Sequence, residues 1–234
     1  WRGVPQNMDM VFPPYSLYKD GMRSFSLKTF GGSLVSTFSV KDWSVESNLT
    51  IGIPSTDPVP EVVNTFFGNP MVGTIDQNGS ILYDFGTTIT SPSSNLQLFY
   101  NIIYPKLKFE SKVPFMQSGF IENYIHNAGI RYYFTDSFDV TGELLYAQPQ
   151  TKLTLINIPS GDPYGWSVMG RYRFDNVHTL YAGYDVWYLN SKDKDGTMTQ
   201  ALTGKRADSM YSKTWTVGYK INWGEKKDKF IKIQ

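Results

Sequence analysis

The stretch Thr214 to Trp223, reading Thr-Trp-Thr-Val-Gly-Tyr-Lys-Ile-Asn-Trp, limits the fold more than any other part of the chain. Trp215, Val217, Tyr219, Ile221 and Trp223 share one parity, and Thr214, Thr216, Gly218, Lys220 and Asn222 share the other. Alternation over ten residues is the period of a β-strand lying between two unlike environments. In a soluble sheet the apolar side would lie on a core and the polar side in water. In a transmembrane barrel the apolar side would meet lipid and the polar side a lumen.

The same rhythm recurs along the chain. Arg23 to Phe30 alternates, Gly31-Gly32 has the composition of a tight hairpin turn, and Leu34 to Val40 returns. Trp43, Val45, Leu49, Ile51 and Ile53 line one side of the next strand. Prolines at 54, 58, 60 and 70 break the pattern over 54–79, which has room for one interrupted strand. Strands follow at Ile81 to Ile89, Leu96 to Tyr104, Leu107 to Glu110 (after a turn at Pro105), a segment ending in Ala128 to Phe134, Phe138 to Tyr146, Trp166 to Phe174 and Leu180 to Tyr188. No helix of useful length is expected.

Several of these strands reach about nine to eleven residues, the length a tilted strand needs to cross a bilayer, against about five or six for an ordinary sheet. Connections at 135–137 and 175–177 are short, and those at 111–118, 148–164 and 190–211 are long. Short turns alternating with long loops are a habit of membrane barrels. The fold expected is all-β, an antiparallel up-and-down transmembrane β-barrel of about twelve strands, with ten to fourteen allowed. Residues 1–21 would be an irregular lead-in, 22–223 the barrel and 224–234 a charged periplasmic tail.

The run Thr216-x-Gly218-x-x-Ile221-x-Trp223 resembles the C-terminal β-signal of bacterial outer-membrane proteins. That resemblance implies an outer-membrane location, a closing strand read by the barrel-insertion machinery, and surroundings of outer-membrane lipid and lipopolysaccharide, with envelope proteins as further partners. The chain continues for eleven residues past Trp223, where that class commonly stops at the aromatic.

Composition narrows the function. Tyr, Trp and Phe make up 16% of the residues, as suits either bilayer interfaces or sugar-binding clefts. The formal net charge of +1, from 22 basic and 21 acidic residues, gives no reason to expect nucleic acid. Cysteine is absent. No zinc spacing, nucleophile elbow or phosphate loop occurs, so no metal, cofactor or catalytic site is expected. Of the two histidines, His126 has the parity of Ala128, Ile130 and Tyr132 and should point outward near an interface, while His178 should follow a turn. The run Lys192-Asp193-Lys194-Asp195-Gly196 lacks the spaced oxygens of a calcium loop and is expected as a solvated loop tip.

The candidate site is the other side of the strands. Parity and charge assign to a lumen Asp84, Lys106, Lys108, Glu110, Arg131, Asp139, Glu143, Arg171, Arg173, Asp185 and Lys220, with Arg171 and Arg173 facing Asp139, Glu143 or Asp185. Charges of both signs suit a passive small-solute channel, or a salt-bridged filling inside a barrel that serves as a membrane anchor within an envelope assembly. A soluble all-β carbohydrate- or ligand-binding module is the alternative. A barrel enzyme is a third reading, with no catalytic motif behind it.

Overall fold

A computed structural model describes residues 29–54, 71, 73–114, 117–153, 156–159, 161–175, 177–203, 206–207, 211–223 and 229–233. The expected lead-in 1–21, most of the expected strand from Arg23, and 55–70 lie outside the described residues.

The described chain is all-β, apart from one short helix. The strands are β1 (Thr29–Val40), β2 (Trp43–Pro54), β3 (Gly73–Thr90), β4 (Leu96–Ser111), β5 (Gly119–Tyr133), β6 (Phe138–Leu153), β7 (Ile156–Pro159), β8 (Tyr164–Arg173), β9 (His178–Tyr188), β10 (Tyr211–Trp223) and β11 (Lys229–Ile233). Helix α1 (Thr197–Thr203) lies in the connection from β9 to β10. All pair antiparallel with their neighbours in the order β1-β2-β3-β4-β5-β6-β8-β9-β10-β11, and β7 folds back on the end of β6. The sheet is up-and-down and open, with β1 and β11 at its edges.

Ten strands along this path stand where about twelve were expected, and the differences have local causes. Gly31 and Gly32 are not a hairpin. They continue β1 opposite Gly52 and Ile51, and a Cβ at Gly31 would overlap the β2 backbone. The turn comes at Lys41-Asp42, with Lys41 in the left-handed region at φ 55°. Pro105 is not a turn either: it sits within β4 opposite Leu82, so the two strands expected there are one. Gly73 to Gly79, expected within a separate interrupted strand over 54–79, likewise runs on into Ile81 to Ile89 as β3. Part of the charged tail forms β11, paired with Tyr219 to Trp223, so β10 is not the last strand of the sheet. Alternation alone cannot see a partner that lies across a turn.

Between the described strands of the main path, short and long connections alternate. Residues 41–42, 91–95, 134–137, 174–177 and 224–228 join strands at one end; 55–72, 112–118, 154–163 and 189–210 join them at the other. The short turns are closed by side chains. Thr135 Oγ1 accepts from the Phe138 amide at 3.0 Å, and Asp175 Oδ1 accepts from the Val177 and His178 amides at 2.6 and 2.7 Å. These side chains satisfy backbone donors that a tight turn would leave unpaired.

Candidate functional site: the two faces of the sheet

The strands β3, β4, β5, β6, β8, β9 and β10 each present one covered and one open face, whereas Phe30 to Val40 of the edge strand β1 are exposed on both sides. The covered face is apolar toward the long-connection end, where Ile75, Leu107, Phe109, Ile121, Ile125, Leu145, Ala147 and Trp187 are buried, and Phe109 is 0% exposed. Trp187 packs with Leu145, Ala147 and Ile125, reaching past Gly165 on β8, whose lack of a side chain leaves the space. Toward the short-turn end the covered face becomes polar and charged, with Asp84, Arg131, Asp139, Thr141, Glu143, Ser167, Arg171 and Asp185 all buried.

Asp139 is the centre of that charged end. It is 1% exposed and takes Arg131 Nε at 3.1 Å, Arg171 Nε at 2.8 Å and Arg173 Nη2 at 2.9 Å. Register explains the convergence. Asp139 lies opposite Tyr133 on one side and Arg171 on the other, so Arg131 and Arg173 reach it from the next covered positions of β5 and β8. Arg173 also donates through Nη1 to the Asp136 carbonyl at 2.6 Å, tying the cluster to the β5–β6 turn. The Arg131 guanidinium stands 5.2 Å from the Tyr133 ring centre. Of the facing partners expected for Arg171 and Arg173, Asp139 is the one the structure joins to both.

Lys220 shares the side of the buried Thr216 and Gly218 on β10. Ile221 lies on the opposite side, and Trp223 is the last residue of β10, opposite Lys229 of β11.

Three of the expected residues lie elsewhere. Lys106, Lys108 and Glu110 are on the open face of β4, sharing parity with Leu98, Tyr100, Ile102 and Tyr104, while Pro105, Leu107 and Phe109 are buried on the covered side. Their expected side followed from the parity of a separate strand Leu107 to Glu110, and it reverses because β4 runs through Pro105 without a turn. In the structure the strand outruns the apolar part of its own open face.

That boundary recurs from strand to strand. On the open face a large residue is followed by its counterpart eight residues away: Leu96 and Tyr104 on β4, Tyr124 and Tyr132 on β5, Phe138 and Tyr146 on β6, Tyr164 and Tyr172 on β8, Leu180 and Tyr188 on β9, Tyr211 and Tyr219 on β10. The tyrosines at the long-connection end form a row. Tyr83 is opposite Tyr104, Tyr146 opposite Tyr164, Tyr164 opposite Tyr188, and Tyr188 opposite Tyr211. Tyr104 stacks on Tyr124 with centroids 4.5 Å apart, and Tyr164 on Tyr188 at 5.1 Å. At the other end Phe138, Tyr172, Leu180 and Tyr219 lie in register, with Phe134 stacked on Phe138. Between these bounds the open-face residues of β4 to β10 include one charged side chain, Lys213, whose Nζ lies 5.7 Å from the Tyr211 ring.

Both histidines stand at these bounds. His126 Nδ1 is 2.7 Å from Tyr100 Oη, and its ring stacks on Tyr146; His178 Nδ1 is 2.6 Å from Tyr219 Oη. A histidine paired with tyrosine presents an apolar ring with a polar tip, which suits a boundary between wet and dry surroundings.

Past the tyrosine row the open face becomes ionic. Glu122 takes Lys152 at 2.7 Å and Lys106 at 3.6 Å; Lys108 takes Asp76 at 2.6 Å and Glu110 at 3.2 Å. Asp76 sits at a register shift in β3. Its Oδ1 accepts from the Asn78 amide, and Ser80 Oγ donates to its carbonyl while accepting from the Lys108 amide. The hydrogen bond from Lys108 is the main cause that holds the Asp76 carboxyl below its usual range, and Asp76 in turn raises Lys108.

A lowered carboxyl stabilises the fold above its unfolded value of about 3.9, and that contribution is lost as pH falls through the lower folded value. A raised amine contributes below about 10.4 and is lost as pH rises through its folded value. The difference in unfolding midpoint between the native chain and Lys108→Met should therefore stay flat from about pH 5 to 9 and shrink below about pH 4. Denaturant titrations at each pH measure it, and a difference that varied across the neutral range would contradict the pairing.

The long connection after β9 returns to the tyrosine row. Lys194 Nζ lies 5.3 Å from the Tyr164 ring and 6.0 Å from that of Tyr188, and Asp193, 4% exposed, accepts from the Met198 amide at 3.1 Å. The segment expected as a solvated tip is thus anchored at these two residues. Periodicity carries no information on how a loop folds back.

Among the described residues no group of three or more His, Cys, Asp or Glu is placed to hold a metal ion, and no helix is long and apolar enough to cross a membrane, which leaves crossing by strands open. No protein-family model, curated protein or solved structure matches the chain.

Proposed function

We propose that the sheet closes into an outer-membrane β-barrel that acts as a membrane anchor, with its covered face as a filled interior. One observation carries this reading: the eight-residue apolar interval on the open face of β4, β5, β6, β8, β9 and β10, bounded by tyrosine at the long-connection end and by an aromatic or leucine at the other. At about 3.3 Å per residue the interval spans roughly 26 Å along the strand. With strands tilted by about 35–45°, that is roughly 20 Å along the membrane normal, near the height of the apolar band of a transmembrane barrel. A soluble module has no use for an outward band of constant width with ionic pairs just past it.

The interior favours an anchor over an open channel. A passive channel needs a continuous polar path, whereas Leu107, Phe109, Ile121, Ile125 and Leu145 pack an apolar layer at one end and the arginine–Asp139 cluster fills the other. The porin-like reading keeps the polar residues between these layers in its favour, Asn101, Glu143, Ser167 and Asp185 among them. The long connections would face outward, the short turns the periplasm, and the open face outer-membrane lipid and lipopolysaccharide. The β10 motif would be read by the insertion machinery from inside the sheet, with β11 beyond it.

Expressed behind a signal peptide, the chain should fractionate with outer membranes and change its gel mobility on boiling, and planar bilayers should show little conductance. Recovery as a soluble periplasmic protein with no mobility shift would overturn the membrane reading. Steady large conductance would replace the anchor with a channel.

A further inference from the structure

We propose that the covered face holds a small monovalent cation between β2, β3 and β4, with Asp84, Asn101 and Asn48 supplying oxygens. Asn48, Gly86 and Asn101 lie in register across the three strands, and Asp84 is the next covered residue of β3. Gly86 makes the cluster possible: a Cβ there would overlap Asn48 Oδ1, so that carboxamide lies over the glycine, against β3.

Asp84 is 3% exposed, with no ion pair among the described residues. Its carboxylate hydrogen-bonds to the Asn101 side chain, yet Asp84 Oδ1 and Asn101 Oδ1 are both buried without a partner. Leu82 and Ile103 flank the pair toward one end of the strands, and Phe99 lies across Gly129 toward the other. On this side Arg131 stands opposite Gln97, four residues along β4 from Asn101, and is held by Asp139.

A carboxylate taken out of water must be neutralised, by a proton or by a counter-charge. Two acceptor oxygens cannot satisfy one another, and a hard cation takes such oxygens as ligands. A single carboxylate supplies a single negative charge, so a monovalent ion closes the balance, whereas calcium sites draw on more carboxylates and six to eight oxygens.

The test uses the purified, folded full chain at fixed ionic strength and pH 7.5, in sodium, potassium or N-methyl-D-glucamine chloride. The thermal midpoint should be roughly 3–6 °C higher in one alkali chloride, at about ten times its Kd, than in the bulky cation. Asp84→Asn should abolish the difference, and Asn101→Ala should shift it to at least about tenfold higher salt, as expected for one lost ligand worth about 1.4 kcal/mol. Equal midpoints in all three salts would overturn the proposal. So would a native midpoint that ignores the cation but follows pH in an Asp84-dependent way, since Asp84 would then carry a proton. The response can be read in detergent, vesicles or plain buffer, so its failure leaves the membrane reading standing, and the reverse also holds.

Discussion

Asp139→Asn should cost about 3–5 kcal/mol of unfolding free energy, the range for removing one partner from a buried ion cluster, and should lower the thermal midpoint by roughly 6–20 °C. The substitution keeps the shape of the side chain and removes the charge shared by Arg131, Arg171 and Arg173. The loss comes mainly from leaving cationic groups at a buried position without the carboxylate that made it tolerable. A double-mutant cycle separates this from a general packing defect. In an Arg171→Met background Asp139→Asn should cost measurably less, because one of the stranded charges has gone. Equal costs in both backgrounds would mean that the cluster is not coupled. Guanidinium titrations of the four proteins supply the numbers.

Val168→Arg should behave quite differently in lipid and in water. Val168 lies on the open face of β8, midway between Tyr164 and Tyr172 and 46% exposed, so arginine meets no steric obstacle there. In a bilayer the charge would stand near the middle of the apolar interval and cost about 2–4 kcal/mol, seen as weaker resistance to guanidinium in vesicles and poor recovery in outer membranes. In a soluble sheet the same exposed change should stay within about 0.5 kcal/mol. A neutral result in vesicles would remove the lipid-facing reading at its strongest point, whatever became of Asp139.

Much of the architecture could be read from the chain. Alternation placed Leu96 to Tyr104, Phe138 to Tyr146, Trp166 to Phe174 and Leu180 to Tyr188 in strands, because a sheet with unlike sides imposes a period of two on every strand it contains. The tight turns at 135–137 and 175–177 were visible for the reason that Thr135 and Asp175 bond the amides after them. Parity also put Asp84, Arg131, Asp139, Glu143, Arg171 and Asp185 on one side, where the structure buries them.

Other features belong to the assembled sheet alone. Gly31-Gly32 has a hairpin's composition, and only pairing with β2 shows it to be strand. Lys229 to Ile233 has a tail's charge, and only pairing with β10 makes it β11. Lys106, Lys108 and Glu110 have interior parity if a strand restarts at Leu107 and exterior parity if β4 runs through Pro105. Only the pairing of Pro105 with Leu82 shows that it runs through. Sequence by itself determined which residues share a side within each unbroken strand, since that needs only the backbone's period, but not whether a strand continues through a proline such as Pro105. Where along each strand one environment gives way to another, and which arginines meet at Asp139, depends on register between strands, set by turns and pairings many residues apart.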